Sequence, residues 1–330
     1  MKSIIQKSQT FFIFLIPAIL IINSCGPGKK QEGSTGGKLK GTISISGAFA
    51  LYPITVVWAE EFQKQYPGVR IDISAGGAGK GMTDVLSGMV DLAMFSREVS
   101  AEEVNNGAWK IAVTKDAVLP TINAGNPFME NIQKKGMKKE EFQELFLKEN
   151  TLTWGSFFEG GKDSKINVYN RSDACGAAEM WGKYLGGNQE SLEGVGVYGD
   201  PGMADAVKND VYGIGFNNVV YVYDMNTRMK NEGLEVMPID LNADGTIDTT
   251  ESFYSDLDHI MAAIGEGRYP SPPARELYFI SKGKPADATV LSFLEWILTE
   301  GQAFVNQAGY VRLPDTRIEE ELKKIKPEEK

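Results

Sequence analysis

The stretch GTISISGAFALYPITVVWAEEFQKQYPGVRIDISAGGAGKGMTDVLSGMVDLAMFSR, residues 41–97, repeats one local pattern, in which a strand is followed by a glycine turn and a helix. Its first strand, residues 41–46, alternates polar and apolar residues and stops at Gly47. From Tyr52 onward, apolar residues recur at helical spacing. The pattern is typical of an α/β protein with a parallel sheet.

The same stretch repeats the pattern at once. A second strand, residues 69–74, enters the turn 75–81 and a second amphipathic helix, and a third strand, residues 90–95, ends in Ser96 and Arg97. Turns that follow parallel strands lie along one edge of the sheet, where helix N-termini present unpaired N–H groups and positive dipole ends. The sequence therefore predicts a small-anion site at this edge.

The rest of the chain supplies further units of this kind. Strands are predicted at residues 110–114, 117–123, 166–169 and 276–281, a strand-rich region at 212–223, and helices at 128–160, 178–185, 290–298 and 301–307. Strand–helix units followed by two crossovers indicate two α/β lobes with a ligand cleft between them. The predicted boundaries are a signal peptide at 1–24, a tether at 25–40, lobe I at 41–119 and 277–330, and lobe II at 120–276.

The N-terminus carries an export signal. Lys2 and Lys7 precede an apolar run, residues 11–22, that is too short to span a bilayer comfortably. Residues 22–25, Ile-Asn-Ser-Cys, resemble a bacterial lipobox, so Cys25 is predicted to carry lipid and to anchor an exported protein facing the periplasm or the cell exterior. The alternative is a plain cleavable signal with an incidental cysteine.

Composition excludes several partners. The 330 residues are 42% hydrophobic and 24% charged, which is enough for a full core. The formal charge of −10 becomes −12 once the two lysines of residues 1–24 are removed. Such an acidic surface argues against nucleic acid or an anionic membrane face as a partner. If Cys25 is acylated, Cys175 has no disulfide partner in the chain.

Five segments together carry a family likeness. Residues 46–53, 58–62, 76–81, 90–97 and 302–314 closely resemble the phosphate-binding protein of bacterial phosphate ABC importers, and the likeness covers nearly all of residues 41–315. The resemblance implies a two-lobed periplasmic-binding-protein fold of the second topological type. It further implies a monomer that closes on one oxyanion, delivers it to an ABC permease in the membrane and is not an enzyme.

The resemblance also implies where the ligand is held. The matching positions are Ala48, Phe49, Gly77, Ala78, Ser96, Arg97, Arg171, Cys175, Gly176 and Ala177. The family has Ser or Thr hydroxyls in the first, second and fourth turns, where this chain has Ala48, Phe49, Ala78 and Ala177. Each missing donor costs about 1–3 kcal/mol, so we expect phosphate to bind weakly or a related anion to be preferred. For Arg97 the alternative is a surface salt bridge, and for Arg171 a salt bridge between the lobes.

A second motif lies in the later half of the chain. The twelve residues DLNADGTIDTTE, 240–251, match a calcium loop at every ligand position, with Gly245 at its sharp turn. The predicted Ca²⁺ ligands are Asp240, Asn242, Asp244, the Thr246 carbonyl, Asp248 and Glu251. The preceding residues 234–238 read as a strand, so the loop stands outside a helix-loop-helix pair, and the alternative is an acidic turn that matches by chance.

Three function classes are compatible with these motifs. A solute-binding protein of an ABC importer is favoured by the glycine turns. An enzyme would need Cys175 as a nucleophile with a lowered pKa near Arg171, but the only histidine, His259, has no evident partner for that role. A binding protein that no longer transports, and acts as a sensor or surface interaction protein, is compatible with the missing hydroxyls.

Overall fold

The computed structural model describes residues 39–148, 152–158 and 164–326. The predicted signal peptide, Cys25 and residues 25–38 of the tether lie outside these ranges. The strands are β1 (Gly41–Gly47), β2 (Val69–Ala75), β3 (Leu92–Phe95), β4 (Ala108–Asn123), β5 (Met137–Lys138), β6 (Asn167–Arg171), β7 (Val195–Val197), β8 (Gly213–Asn218), β9 (Leu234–Val236), β10 (Ile239–Asp240) and β11 (Ala274–Lys282).

Helices follow most of these strands. They are α1 (Tyr52–Gln65), α2 (Ala78–Leu86), α3 (Ala101–Asn105), α4 (Met129–Lys135), α5 (Lys139–Phe146), α6 (Gly176–Leu185), α7 (Gly199–Lys208), α8 (Val219–Val222), α9 (Leu257–Glu266), α10 (Ala288–Leu298) and α11 (Asp315–Ile325), with 3₁₀ turns at Trp154–Ser156, Gln189–Ser191 and Glu300–Phe304. Across the described ranges, none of these helices combines the length and apolar character that a membrane span requires.

Nine of the described strands form one curved mixed sheet, and β5 and β10 pair separately from it. The order of the larger sheet is β2-β1-β3-β11-β4-β8-β6-β7, with β9 paired to the end of β4 on the edge opposite β8. β1 is parallel to β2 and β3, and β6 is parallel to β7 and β8. The antiparallel pairs of β11 with β3 and of β4 with β8 join these two parallel groups. The predicted parallel units are therefore present at both ends of the sheet.

Two separate hydrophobic clusters flank this sheet. One includes Trp58, Phe62 and Phe293, and the other includes Trp154 and Trp181. Along β4 the first cluster ends at Val113 and the second begins at Ala117, and along β11 the change falls between Ala274 and Leu277. This is the two-lobed α/β fold that the sequence predicts, while the lobe boundaries at 119/120 and 276/277 stay a prediction.

The start of α2 differs from the expected turn over residues 75–81. The helix begins at Ala78, because Gly77 adopts φ +89° and its N–H, like that of Gly76, donates to the Gly47 carbonyl at 3.1 and 2.9 Å. Gly81 lies so near β1 that a Cβ there would be 2.7 Å from the Gly47 Cα. The glycines therefore hold the first turn of α2 against the end of β1.

Another difference is that residues 110–114 and 117–123 belong to one continuous strand. The prediction of two strands was wrong because Lys115 and Asp116 read as a polar break. Asp116 is 1% exposed, and in the ladder it stands opposite Arg275 of β11. The Arg275 guanidinium lies 3.7 Å from the Asp116 carboxylate, which offsets part of the cost of burying this charge in mid-strand.

Two further element types were predicted incorrectly, at least in part. The region 212–223 holds the expected strand only as β8, which is followed by α8. The described part of residues 128–160 is mainly helical as predicted, with the short strand β5 between α4 and α5. The helix expected at 301–307 is a 3₁₀ turn over 300–304. Short apolar runs do not separate strand from helix by periodicity alone, which accounts for these errors.

Candidate anion site

The N-termini of α2 and α6 meet where the two lobes touch. The Gly79 N–H in the first turn of α2 donates to the Ala174 carbonyl, just before α6, at 3.0 Å. A Cβ on Gly176, the first residue of α6, would lie 2.2 Å from the Ser96 carbonyl oxygen. The second, third and fourth turns of the sequence prediction therefore converge. Gly77, Ala78, Ser96, Gly176 and Ala177 lie within them.

The first turn reaches the same place through Phe49. Its ring packs edge-on against Tyr198 at 5.9 Å and lies 5.7 Å from the Arg171 guanidinium carbon. Its carbonyl accepts a hydrogen bond from the Tyr221 hydroxyl at 3.0 Å. The neighbouring Ala48 N–H already donates to the Met94 carbonyl at 2.9 Å. Phe49 thus contributes ring surface that contacts the other lobe.

Arg171 lies at the end of β6, directly before the turn that starts α6. Its Nε and Nη2 donate to the two oxygens of Asp173 at 2.8 and 2.7 Å, and its Nη1 donates to Asp200 at 2.7 Å. The Arg171 side chain is 0% exposed. Burial lowers its pKa, but Asp200 and Asp173 outweigh this and raise the pKa, so the guanidinium stays charged. Both carboxylates belong to residues 120–276, the predicted range of lobe II, so these two salt bridges do not reach residues 41–119 or 277–326.

The Arg171 pairs continue into a larger buried polar network. Asp200 Oδ1 accepts hydrogen bonds from the backbone and side-chain N–H groups of Asn218 at 3.1 and 2.7 Å. Arg275 donates to the Asn218 side-chain oxygen and, at 3.3 Å, to the Ser96 carbonyl. The network thereby connects the fourth turn to the third. Asp173, two residues after Arg171, was visible in the sequence, whereas Asp200, Asn218 and Arg275 are brought in only by the fold.

Asp116 lies at the end of this network. Its contact with Arg275 is an ion pair at 3.7 Å without a hydrogen bond, and the backbone N–H groups of Ala117 and Val219 also favour the ionised carboxylate. Burial raises the pKa of Asp116 to about 6, against the opposing effect of Arg275.

Cys175 caps α6, as its Sγ accepts the Ala178 N–H at 3.4 Å. It is buried, and its own N–H donates to the Gln189 side chain at 2.9 Å. Burial raises the thiol pKa to about 12 and outweighs Arg171, which lowers it as expected, so the net fall in pKa predicted from the sequence was wrong. A thiol of this kind is a poor nucleophile, which removes the chemical basis of the enzyme hypothesis.

Arg97 pairs with a residue close to it in the chain. It forms two hydrogen bonds to Glu103, at 2.7 and 3.0 Å, and its guanidinium carbon lies 4.5 Å from the Phe95 ring centre. This is the salt bridge that the sequence offered as the alternative. Arg97 also lines a cavity of about 360 Å³ that borders the junction of α2 and α6, together with Gly79, Ala174, Cys175, Glu179 and Lys183. A larger cavity of about 760 Å³, around Glu60 and Arg228, includes none of the predicted ligand residues.

The calcium-type loop lies apart from these turns, between β10 and α9. Asp240 and Glu251 are 3% and 2% exposed, whereas Asn242, Asp244, Thr246 and Asp248 are exposed. As the side chains stand, no three His, Cys, Asp or Glu side chains within the described ranges come together as a metal site. Asp244 Oδ1 instead accepts the Thr246 N–H at 2.9 Å, and Asp248 Oδ1 accepts the Thr250 N–H at 2.7 Å.

Comparison with known proteins identifies the family to which the chain belongs. Residues 32–300 match the family model described as a PBP superfamily domain. The phosphate-binding protein PstS of Bacillus subtilis (strain 168) is 24% identical over 95% of this chain and 97% of its own. PstS of Methanocaldococcus jannaschii is 26% identical over 91% of this chain and 90% of its own. These relatives are binding proteins and not enzymes, in agreement with the expectation of a non-enzymatic role.

Solved structures agree on the fold. A protein described as a phosphate ABC transporter substrate-binding protein from Clostridium perfringens, with bound phosphate, superposes with a TM-score of 0.66 at 20% identity, covering 83% of this chain and 100% of its own. An ABC-type phosphate transport receptor from Vibrio cholerae gives a TM-score of 0.59 at 19% identity, covering 82% of this chain and 100% of its own. The type II periplasmic-binding-protein fold predicted from the sequence is thus confirmed.

Proposed function

Because the chain belongs to the PBP superfamily, we propose that it is an exported solute-binding protein that binds phosphate or a related small anion and delivers it to an ABC permease. One observation carries the proposal: the N-termini of α2 and α6 meet at the junction of the lobes, close to the buried Arg171. The relatives from Bacillus subtilis and Methanocaldococcus jannaschii are phosphate-binding proteins, which supports phosphate as the first candidate ligand. The acidic surface of the chain fits a small-molecule ligand better than a polyanionic partner.

The attraction for an anion would come mainly from backbone N–H groups. Within the described residues, the N–H groups of Ala78, Gly176 and Ala177 donate no hydrogen bond outside their own helices. Each lies in the first turn of a helix, where the dipole adds partial positive charge. Arg171 adds little net charge, because Asp173 and Asp200 already neutralise it. We therefore expect an affinity weaker than a site with a full set of hydroxyl donors would reach.

A titration of the mature protein with phosphate, sulfate, molybdate and small carboxylates tests the proposal. Isothermal calorimetry should give one-to-one binding of at least one of these anions, with phosphate weaker than micromolar because the hydroxyl donors are missing. Micromolar or tighter phosphate binding would keep the transport function but contradict the weight given to the lost hydroxyls. No binding to any of these anions would contradict the proposed function.

Two substitutions restore the missing donors. Ala78→Ser and Ala177→Thr place hydroxyls in the first turns of α2 and α6, and each should strengthen phosphate binding by about 1–3 kcal/mol, or roughly 5- to 150-fold. Ala263→Ser, a substitution at a fully buried alanine of α9, is the matched control and should leave the affinity unchanged. Equal affinities in all variants would show that the anion lies elsewhere.

A second candidate function is a binding protein that no longer transports. It is favoured by the direct contact of the lobes, in which the Gly79 N–H is used by Ala174 and the Phe49 ring lies near Arg171. These contacts occupy groups that an anion would otherwise use. Failure to bind any anion, in a protein that folds normally, would favour this function as a sensor or interaction protein.

The anchor is part of the same proposal. Residues 22–25 support acylation of Cys25, which would hold the binding protein at the outer face of a membrane, next to its permease. Mass spectrometry of the mature N-terminus should find a lipid-modified Cys25. An unmodified N-terminus at another residue would contradict the anchor without affecting the anion site.

A further inference from the structure

The loop 240–251 is attached to the rest of the fold at its first residue and through Ile247. Asp240 ends β10, which pairs in parallel with β5, and the Ile247 N–H donates to the Lys134 carbonyl at 2.8 Å. A Cβ on Gly136 would lie 2.5 Å from the Ile247 Cδ1, so this side chain packs directly on the turn before β5. Gly245 has φ +87°, the conformation that the sharp turn of a calcium loop needs. The twelve residues therefore fold back on themselves instead of extending into solvent.

The carboxylate of Asp240 points across the interior of this loop. Its Oδ2 accepts the Gly245 N–H from the opposite side at 2.8 Å. Its Oδ1 is buried and has no hydrogen-bond partner among the described residues, and the residue is only 3% exposed. Burying a carboxylate oxygen without a hydrogen-bond partner destabilises the folded state, because the oxygen loses its hydrogen bonds to water and forms none in their place.

Glu251 brings a second buried carboxylate to the same place. Its Oε1 accepts the N–H groups of Leu241 and Asn242 at 2.7 and 3.0 Å, so the side chain reaches back to the start of the loop. Among the residues that the structure describes, no Lys, Arg or His forms an ion pair with Asp240, Asp244, Asp248 or Glu251. A buried carboxylate that lacks a counterion carries a desolvation cost, which a bound cation would offset.

We propose that this loop binds one Ca²⁺ ion. Asp240 and Glu251 are the fixed, buried ligands, and the exposed side chains of Asn242, Asp244 and Asp248 turn inward together with the Thr246 carbonyl to complete the shell. Asp244 and Asp248 each keep one carboxylate oxygen that bonds no described residue, so they can turn inward while their hydrogen bonds within the loop persist. Six oxygen-bearing groups with a two-oxygen Glu251 supply the six to eight ligands that Ca²⁺ prefers, more than the octahedral shell of Mg²⁺ takes.

The ion would stabilise the second lobe. Loop residue Asp240 follows Ile239, whose N–H donates to the Tyr254 hydroxyl at 3.2 Å, and the Tyr254 carbonyl accepts the Tyr223 hydroxyl at 3.0 Å. Asp256 then caps α9 through the His259 N–H at 3.0 Å. Joining Asp240 to Glu251 through an ion therefore ties β10 to the segment that leads into α9.

The test is calcium titration of the mature protein after chelator treatment. Calorimetry with CaCl₂ should give one site per chain, and saturating calcium should raise the melting temperature by about 5 °C or more over the chelated protein. MgCl₂ should bind at least tenfold more weakly. Equal melting temperatures with calcium and with chelator, or tighter binding of magnesium than of calcium, would overturn the proposal.

Two variants make the test specific to the loop. Asp244 is exposed, so Asp244→Ala should melt like the wild type in chelator yet lose most of the calcium-induced shift. Asp205→Ala removes an exposed carboxylate of α7, outside the loop, and should keep the full shift. A calcium response of Asp244→Ala equal to that of Asp205→Ala would show that calcium binds elsewhere and would overturn the assignment. Anion binding is measured separately, so this outcome leaves the proposed function untouched.

Discussion

Asp116 and Arg275 show how single buried charges are arranged around the candidate site. Both are at most 5% exposed, and they face each other across β4 and β11 at 3.7 Å without a hydrogen bond. The cost of desolvating Asp116 exceeds the attraction of Arg275, so the pKa of this carboxyl group rises to about 6. A carboxyl group with a raised pKa favours folding when it is protonated, so its effect on stability must depend on pH.

We predict that the wild type loses stability relative to Asp116→Asn as the pH rises from about 4 to 7. The pKa of Asp116 is near the ordinary aspartate value of 3.8 when the chain is unfolded and about 6 when it is folded, so ionisation disfavours the folded state across that window. A shift of about two pKa units corresponds to about 3 kcal/mol. Urea unfolding of both proteins at several pH values measures the difference. A difference that stays flat with pH, or changes in the opposite direction, would show that Arg275 outweighs burial.

The first turn of α6 packs against the end of β3 at a distance that only glycine permits. At Gly176 the nearest atoms to an added Cβ would be the Ser96 carbonyl oxygen at 2.2 Å and Ser96 Oγ at 2.3 Å. The first of these is backbone and cannot move aside by rotating a side chain. Since Ser96 follows a strand of lobe I and Gly176 starts a helix of lobe II, this contact helps to set how closely the lobes approach.

We predict that Gly176→Ala destabilises the protein by about 1–3 kcal/mol, because the added methyl group overpacks the junction. It should also weaken anion binding, since the amide groups of α2 and α6 move apart. Gly265→Ala in α9 is the control, as its Cβ would meet only Val311 Cγ1 at the ordinary distance of 3.4 Å. That variant should be as stable as the wild type or up to about 1 kcal/mol more stable. Chemical denaturation measures both, and unchanged stability of Gly176→Ala would contradict the close packing.

An element could be predicted from the sequence where the residues that determine it lie within the element itself. The strands and helices of residues 41–97 were predicted because their apolar periodicity is set within the segment itself. The start of α2 at Ala78 was missed, since it depends on hydrogen bonds from Gly76 and Gly77 to the distant Gly47. The continuity of β4 was missed because Asp116 is tolerated in mid-strand only by pairing with Arg275, which lies far along the chain. Contacts of this kind carry no local signal.

The lobes of the whole molecule are in direct contact at the candidate site. Gly79 bonds to Ala174, Phe49 packs on Tyr198, and the Tyr221 hydroxyl bonds to the Phe49 carbonyl. An anion that binds there must first separate these groups, and closure would then remove it from water. The convergence of the turns was predictable from sequence, because strand ends share one sheet edge. The pairing of Arg171 with Asp200 was not predictable, because Asp200 comes from a separate part of the fold.

The proposed anion site between α2 and α6 is tested most sharply by locating a bound anion in a crystal structure. Crystals of the mature protein grown with arsenate, an analogue of phosphate with an anomalous signal, would place the ion without ambiguity. We predict one arsenate between the starts of α2 and α6, within hydrogen-bond distance of the N–H groups of Ala78, Gly176 and Ala177. Anomalous density that contacts none of these N–H groups, or no density at saturating arsenate, would contradict the proposed site.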